Sequence, residues 1–150
     1  MPYCADTNIL LRWAQPSTEA SRQARAAVKE LRRRGESVLI TPQNLVEFWA
    51  VATRPAEANG LGFVPPRADA EMAKLERLFP LLPDNAAIHA ERRRIVVSSA
   101  VSGVRTHDAR LAAALRIHGV AHILTFNVSD FQSFGAPVAV HPGDILQARA

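Results

Sequence analysis

The chain has 150 residues, 48% of them hydrophobic and 21% charged, one cysteine, and a formal net charge of +4. That length supports one domain with its own core, and the apolar share excludes a disordered tail. A lone cysteine excludes an intramolecular disulfide. With no basic n-region at the start and no run of the roughly 18–20 apolar residues that span a membrane, a soluble cytoplasmic protein is expected.

Tyr3-Cys4-Ala5 reads as a short strand ended by Asp6. Thr7 and Asn8 then turn the chain into a helix over 8–14, cut off by Pro16. Ser17-Thr18-Glu19 offers caps for a second helix running to about Arg34 and stopped by Gly35. Ala20, Ala24, Ala27, Val28 and Leu31 give that helix an inner face, while Arg22, Arg25, Lys29 and Arg32 form a cationic stripe on another. The stripe is either a solvated face or a strip that tracks RNA phosphates.

Residues 37–41 form an apolar strand ended by Pro42, followed by a helix over 43–53 with Leu45, Val46, Trp49 and Ala52 inward. Residues 54–66 read as the one long loop, a connector or a flap; Trp13 and Trp49 suit the core or a dimer surface. Helices are expected over 69–79, over 85–99 and from Thr106 to a stop at Gly119, with an extended piece at 80–83. A strand over 121–126, a turn over 127–131, a strand over 138–140 and a helix from about Pro142 complete the chain. Short apolar strands alternating with helices imply an α/β fold, a central parallel sheet flanked by helices on both faces, in a single domain over 1–150.

In open α/β sheets ligands bind at the carboxyl ends of the strands. Asp6 follows the first strand, Asp130 lies just beyond the 121–126 strand, Asp108 opens a helix, and Glu47 stands in the helix after the second strand. Singly, Asp6 suits a helix N-cap, Asp108 a first-turn acid favoured by the helix dipole, and Asp130 an ordinary turn. Glu47, among Leu45, Val46, Phe48 and Trp49, needs a partner if buried. Together they point further. Two unit charges about 4 Å apart repel by roughly 4 kcal/mol at an effective dielectric near 20, so converging carboxylates call for protonation or a cation. Oxygen donors favour Mg2+ or Mn2+ over zinc, and such an ion activates water and offsets phosphoryl charge. Phosphodiester hydrolysis is the expected chemistry.

Other chemistries find less support. His89, His107, His118, His122 and His141 show no zinc-like pairing, and Cys4 has no nearby base. Ser98, Ser99 and Ser102 lie in no nucleophile elbow. An aspartyl-phosphate enzyme would carry an acid where Asn8 stands, and a flavodoxin-like cofactor domain would need a phosphate-cradling loop after the first strand.

Four segments in order resemble the PIN domain, and in detail the VapC-type toxins of toxin–antitoxin pairs: Asp6-Thr7-Asn8 before an apolar helix, Glu47 after the second strand, 106–113 around Asp108, and 124–127 leading to Asp130-Phe131. The resemblance spans nearly the whole chain and departs in its short first strand, less apolar than usual. It implies a metal-dependent endoribonuclease in which Asp6, Glu47, Asp108 and Asp130 hold Mg2+ or Mn2+. Thr7 and Asn8 would orient the first acid or a water on the metal, and Thr125 and Asn127 would position substrate or the last acid. It further implies an RNA substrate, a homodimer and an antitoxin covering the acidic cleft. The alternative is a PIN-like module that binds RNA or protein without cutting.

Overall fold

Tyr3–Ala5 (β1) pairs in parallel with Val38–Leu39 (β2) on one side and His122–Leu124 (β3) on the other. β3 pairs in turn with Val138–Val140 (β4), so the sheet is all parallel in the order β2-β1-β3-β4. The structure is a computed structural model and describes residues 1–148. An isolated bridge between Ile40 and Leu81 continues the β2 edge, which accounts for the extended piece expected at 80–83.

Seven α-helices cover the sheet among the described residues: Thr7–Trp13 (α1), Glu19–Arg33 (α2), Pro42–Ala52 (α3), Pro65–Leu78 (α4), Ala87–Ser98 (α5), Thr106–Ile117 (α6) and Pro142–Gln147 (α7). Successive strand side chains point to opposite faces, and in β1 this divides the core in two. Ala5 packs with Ile9, Leu10, Val28, Leu31, Phe48, Leu75 and Ile145 from α1, α2, α3, α4 and α7. Cys4 packs with Ile88, Ile95, Leu111, Leu115, Ile123 and Phe131, under α5 and α6. The sheet is therefore buried on both faces, as its near-continuous apolar strands require.

Three details differ from the sequence reading. α4 begins at Pro65, well before residue 69, because proline has no N–H to lose at the first helical positions and its fixed φ suits them. The connection before it is correspondingly shorter and holds a 3-10 turn, Ala56–Ala58. It is stitched onto the end of α3 by Leu61 N–H to Val51 O (3.1 Å) and Phe63 N–H to Ala52 O (2.8 Å). Gly60 makes this possible, since a Cβ there would lie 2.0 Å from the Arg54 carbonyl oxygen. In α3 the buried face is Leu45, Phe48 and Ala52, at steps of three and four, and Val46 points outward at 69% exposure. Trp13 and Trp49 are half-buried at the margin of the core. Finally, the turn expected over 127–131 is a 3-10 helix, Val128–Phe134, that buries Phe131 and Phe134.

Candidate metal and catalytic site

β1 lies between β2, reached through α1 and α2, and β3, reached much later in the chain, so the sheet's order reverses at β1. The crevice at the carboxyl ends of β1 and β3 is thus the topological switch point where open α/β sheets bind ligands. Register places Ala5 opposite Leu124, and Asp6 N–H continues the ladder to Leu124 O at 3.0 Å. The next residue on each strand, Asp6 and Thr125, therefore meets the other at the crevice. Thr125 Oγ1 donates to Asp6 Oδ2 (2.8 Å), and Thr7 N–H donates to Asp6 Oδ1 (2.7 Å), which makes Asp6 the N-cap of α1. The cap reading of Asp6 is realised, and it leaves the carboxylate at the crevice.

Thr125 uses its whole hydrogen-bonding capacity. Besides donating to Asp6 it accepts from Asn8 Nδ2 (3.1 Å) and from Asn127 N–H (3.0 Å). Asn8 Oδ1 accepts from Phe126 N–H at 3.2 Å, so α1 and the end of β3 are laced together around the acid. Asn127 takes part through its backbone, with an exposed side chain. Thr7 reaches the other way: its hydroxyl donates to Glu47 Oε2 (3.0 Å) and accepts from Asn44 Nδ2 (3.3 Å). Asn44 closes the capping box of α3 with Thr41, which fixes the phase of that helix and turns Glu47 toward Thr7.

Burial raises the Asp6 carboxyl to about 7; the Thr125 and Thr7 hydrogen bonds act in the opposite direction, and the charges of Glu47 and Asp108 add to the rise. Asp108, in the first turn of α6, is raised to about 6 by burial, then by Asp130 and Glu47, with Arg105 and His107 opposing. The structure thus brings Asp6, Glu47, Asp108 and Asp130 into one electrostatic neighbourhood. Among the described residues no arginine or lysine side chain forms an ion pair with any of the four. Arg105 instead donates to the backbone carbonyl of Asp130 at 2.8 Å. Nor, among the described residues, do three carboxylate, imidazole or thiol groups form a ready-made metal cage. The donor set is hard oxygen, open, and short of positive charge, which fits a strongly hydrated divalent cation better than zinc.

A group of residues passed over in the sequence supports Glu47 from behind. Gln43 Nε2 donates to Glu47 Oε1 (2.8 Å) and to the His107 carbonyl (2.7 Å), while Gln43 Oε1 accepts from Arg110 Nη1 (3.0 Å). Arg110 Nη2 lies 3.3 Å from Asp84 Oδ2. The one available signal was spacing, since Gln43 precedes Glu47 by one helical turn.

The cationic stripe on α2 has other attachments. Arg25 Nη2 donates to Trp13 O (2.7 Å) with its guanidinium over the Trp13 ring, and Arg32 donates to Leu78 O and lies over Phe79. Arg22 pairs with Glu19, and Lys29 is exposed. Trp13 ends α1, so Arg25 stands at the opposite end of that helix from Asp6.

The PIN domain family model matches residues 3–135. A search of curated protein sequences gave no match. Among solved structures the chain is similar to VapBC2 from Rickettsia felis bound to a promoter DNA fragment, at 12% identity and a TM-score of 0.68 over 94% of this chain and 98% of that one. It is similar to VapBC-1 from nontypeable Haemophilus influenzae at 16% identity and a TM-score of 0.67, over 95% and 99% of the two chains. It is also similar to Mycobacterium tuberculosis VapC20, a sarcin-ricin loop cleaving toxin, at 17% identity and a TM-score of 0.63, over 89% and 95%. At these identities the likeness is one of fold, and the family match covers most of the sequence: the chain belongs to the PIN domain family.

Proposed function

We propose that this protein is a divalent-metal-dependent endoribonuclease, the toxin of a toxin–antitoxin pair. One observation carries the reading: Asp6 is buried at the switch point of the sheet with other acids acting on it and, among the described residues, no side-chain cation paired to it. A structural carboxylate so placed destabilises the fold, whereas a carboxylate that receives a cation does not. Asp6, Glu47, Asp108 and Asp130 would hold Mg2+ or Mn2+. An open arrangement suits Mg2+, which keeps several waters and takes one or two carboxylates. When bound, the ion lowers the pKa of a coordinated water and offsets charge on the phosphoryl oxygens.

This chain's own residues do the rest. Thr125 and the Thr7 amide fix the Asp6 carboxylate, Thr7 and Gln43 fix both oxygens of Glu47, and Asn8 locks Thr125 in the orientation that points its proton at Asp6. The substrate reading, RNA, and the antitoxin partner draw support from the toxin–antitoxin proteins that share the fold. A homodimer acting in the cytoplasm belongs to the same proposal. That no three carboxylate, imidazole or thiol groups form a metal cage among the described residues favours a second reading, a PIN-like module that binds RNA or protein without cutting.

Incubation of total RNA with purified protein in Mg2+, Mn2+ or EDTA, beside Asp6→Asn, separates the two. The nuclease reading predicts discrete cuts that need metal, with a loss in Asp6→Asn exceeding the ~100-fold typical of removing a metal's outer-shell partners. Metal-independent cleavage, or equal cleavage by the variant, overturns it; intact RNA with retained RNA binding supports the module.

A further inference from the structure

We propose that the cleft behind Glu47 is a nucleobase subsite, seating one base of the RNA strand beside the acid cluster. The identity of the strand rests on the nuclease reading; the chemistry of the cleft stands on its own geometry. The cleft has a volume of about 280 Å3 and opens between α3, α6 and the segment that precedes α5. It shares Glu47 with the acid cluster, and its other wall is His107, the residue before Asp108. A nucleotide whose phosphate lies at the acids therefore has this cleft within one residue's reach.

The lining is suited to a flat, neutral, partly apolar ring. Pro42 and Val46 supply an apolar side, and Val46 is 69% exposed although it is a large aliphatic residue. Arg110 is pinned on two sides, by Gln43 Oε1 at 3.0 Å and by Asp84 Oδ2 at 3.3 Å, so its guanidinium plane is held in place. Exposed bases of RNA stack on guanidinium planes and on imidazole rings, and the exposed His107 ring offers the second kind of face. The volume falls just below the ~300–1,000 Å3 of pockets for drug-sized ligands, which suits a single ring system.

Charge narrows the occupant. Two carboxylates, Glu47 and Asp84, line the cleft against one arginine, Arg110, which Asp84 already pairs, so the balance disfavours a phosphate or an acidic side chain. Asp84, at the rim and 44% exposed, is an acceptor only. It favours a base that presents an exocyclic amino group, which adenine, cytosine and guanine have and uracil lacks. Gln43 donates nothing to the occupant, because both of its amide hydrogens are already given to Glu47 and the His107 carbonyl.

The test is binding, not cleavage. Wild-type protein in EDTA is titrated with AMP, CMP, GMP, UMP and ribose 5-phosphate, with the Val46 methyl and His107 ring NMR signals followed. The proposal predicts that at least one amino-bearing nucleotide shifts both signals, that UMP does so less, and that ribose 5-phosphate does not. Val46→Trp, which fills the cleft from an exposed position, and His107→Ala each weaken that binding by about tenfold, the scale of one lost base-stacking contact. No shift at Val46 and His107 with any nucleotide overturns the subsite. So do equal shifts with ribose 5-phosphate, or unchanged affinity in both variants. Nucleotide binding together with no metal-dependent RNA cleavage would reject the nuclease reading and leave the subsite in place.

Discussion

Glu30, on α2, and Asp6, at the end of β1, are both withdrawn from solvent, at 4% and 9% exposure, and their surroundings push them in opposite directions. Glu30 brings its cations with it on the same helix. Arg33 grips it with two nitrogens at 2.8 and 2.7 Å, Arg34 adds a third contact at 3.1 Å, and these partners pull its carboxyl down to about 2. Arg34 also donates to Ile145 O (2.9 Å), so the cluster ties α2 to α7. Asp6 has hydroxyl and amide donors and other acids around it, and its carboxyl rises to about 7. One acid completes the fold. The other leaves it short of positive charge at the place where open α/β sheets bind ligands.

The largest expected effect follows from neutralising each acid. Asp6→Asn should stabilise the metal-free protein at pH 8, by at most ~4 kcal/mol at 1.36 kcal/mol per unit of pKa, whereas Glu30→Gln should destabilise it; urea unfolding of both variants checks the signs. The pH dependence sharpens the contrast. Asp6 titrates near 7 when folded and near 3.9 when unfolded. The folded state therefore holds the extra proton between those values, and the contribution of Asp6 to stability improves as pH falls from about 7 to about 4. Glu30 is depressed on folding, so its contribution is present above its unfolded pKa and is lost as pH falls toward 2. Opposite slopes in the two windows, each removed by its own variant, confirm the assignment; parallel slopes break it.

Thr125→Val is the next effect in size. It keeps the shape but removes the donor to Asp6 and the acceptor for Asn8 and Asn127. A loss of about 1–3 kcal/mol is expected for such buried groups left unpaired, together with a further rise of the Asp6 carboxyl, readable by NMR titration. An unchanged titration would mean that the hydroxyl does not hold the acid.

Much of this site was legible because it rests on backbone logic. A strand ending at Asp6 puts that acid at the carboxyl edge of a parallel sheet. Thr125, however, was read as the inside of a strand over 121–126 and expected to position substrate or the last acid; it stands just past β3 and holds the first acid, Asp6. Asp108 was visible as an acid at the start of a helix, and Glu47 as an acid among apolar helix neighbours that needs a partner. Gln43, Asp84 and Arg110 were not, because an amide, a loop acid and an amphipathic arginine have ordinary surface readings, and only the side-chain bonds that join α3 to α6 and to Asp84 give them a joint task. The start of α4 was hidden by Pro65-Pro66, which reads equally as loop and as first turn. Val46 was placed inward although the 45, 48, 52 spacing, once anchored by the Thr41–Asn44 cap, leaves it outside.

The smallest effect concerns the arginines of α2. Arg25 and Arg32 are packed on rings and carbonyls, whereas Arg22 pairs with Glu19 across the surface at 62% and 83% side-chain exposure. Arg22→Ala should therefore change stability by less than about 1 kcal/mol. If the stripe tracks RNA, Arg22→Ala with Lys29→Ala lowers the salt slope of RNA binding by about 0.7 per lost phosphate contact. An unaltered slope assigns the stripe to the protein surface alone.

The central claim, that Asp6 and its neighbours bind a divalent cation, is tested most directly by thermal unfolding of wild type and Asp6→Asn with Mn2+ or EDTA, at pH 8 and pH 5. A ligand at 100 times its Kd stabilises by about 2.7 kcal/mol. The account predicts that Mn2+ raises the wild-type Tm at pH 8, raises it far less at pH 5 where Asp6 and Asp108 are protonated, and leaves Asp6→Asn nearly unmoved. No Mn2+ shift at pH 8, or the same shift in the variant, would contradict it.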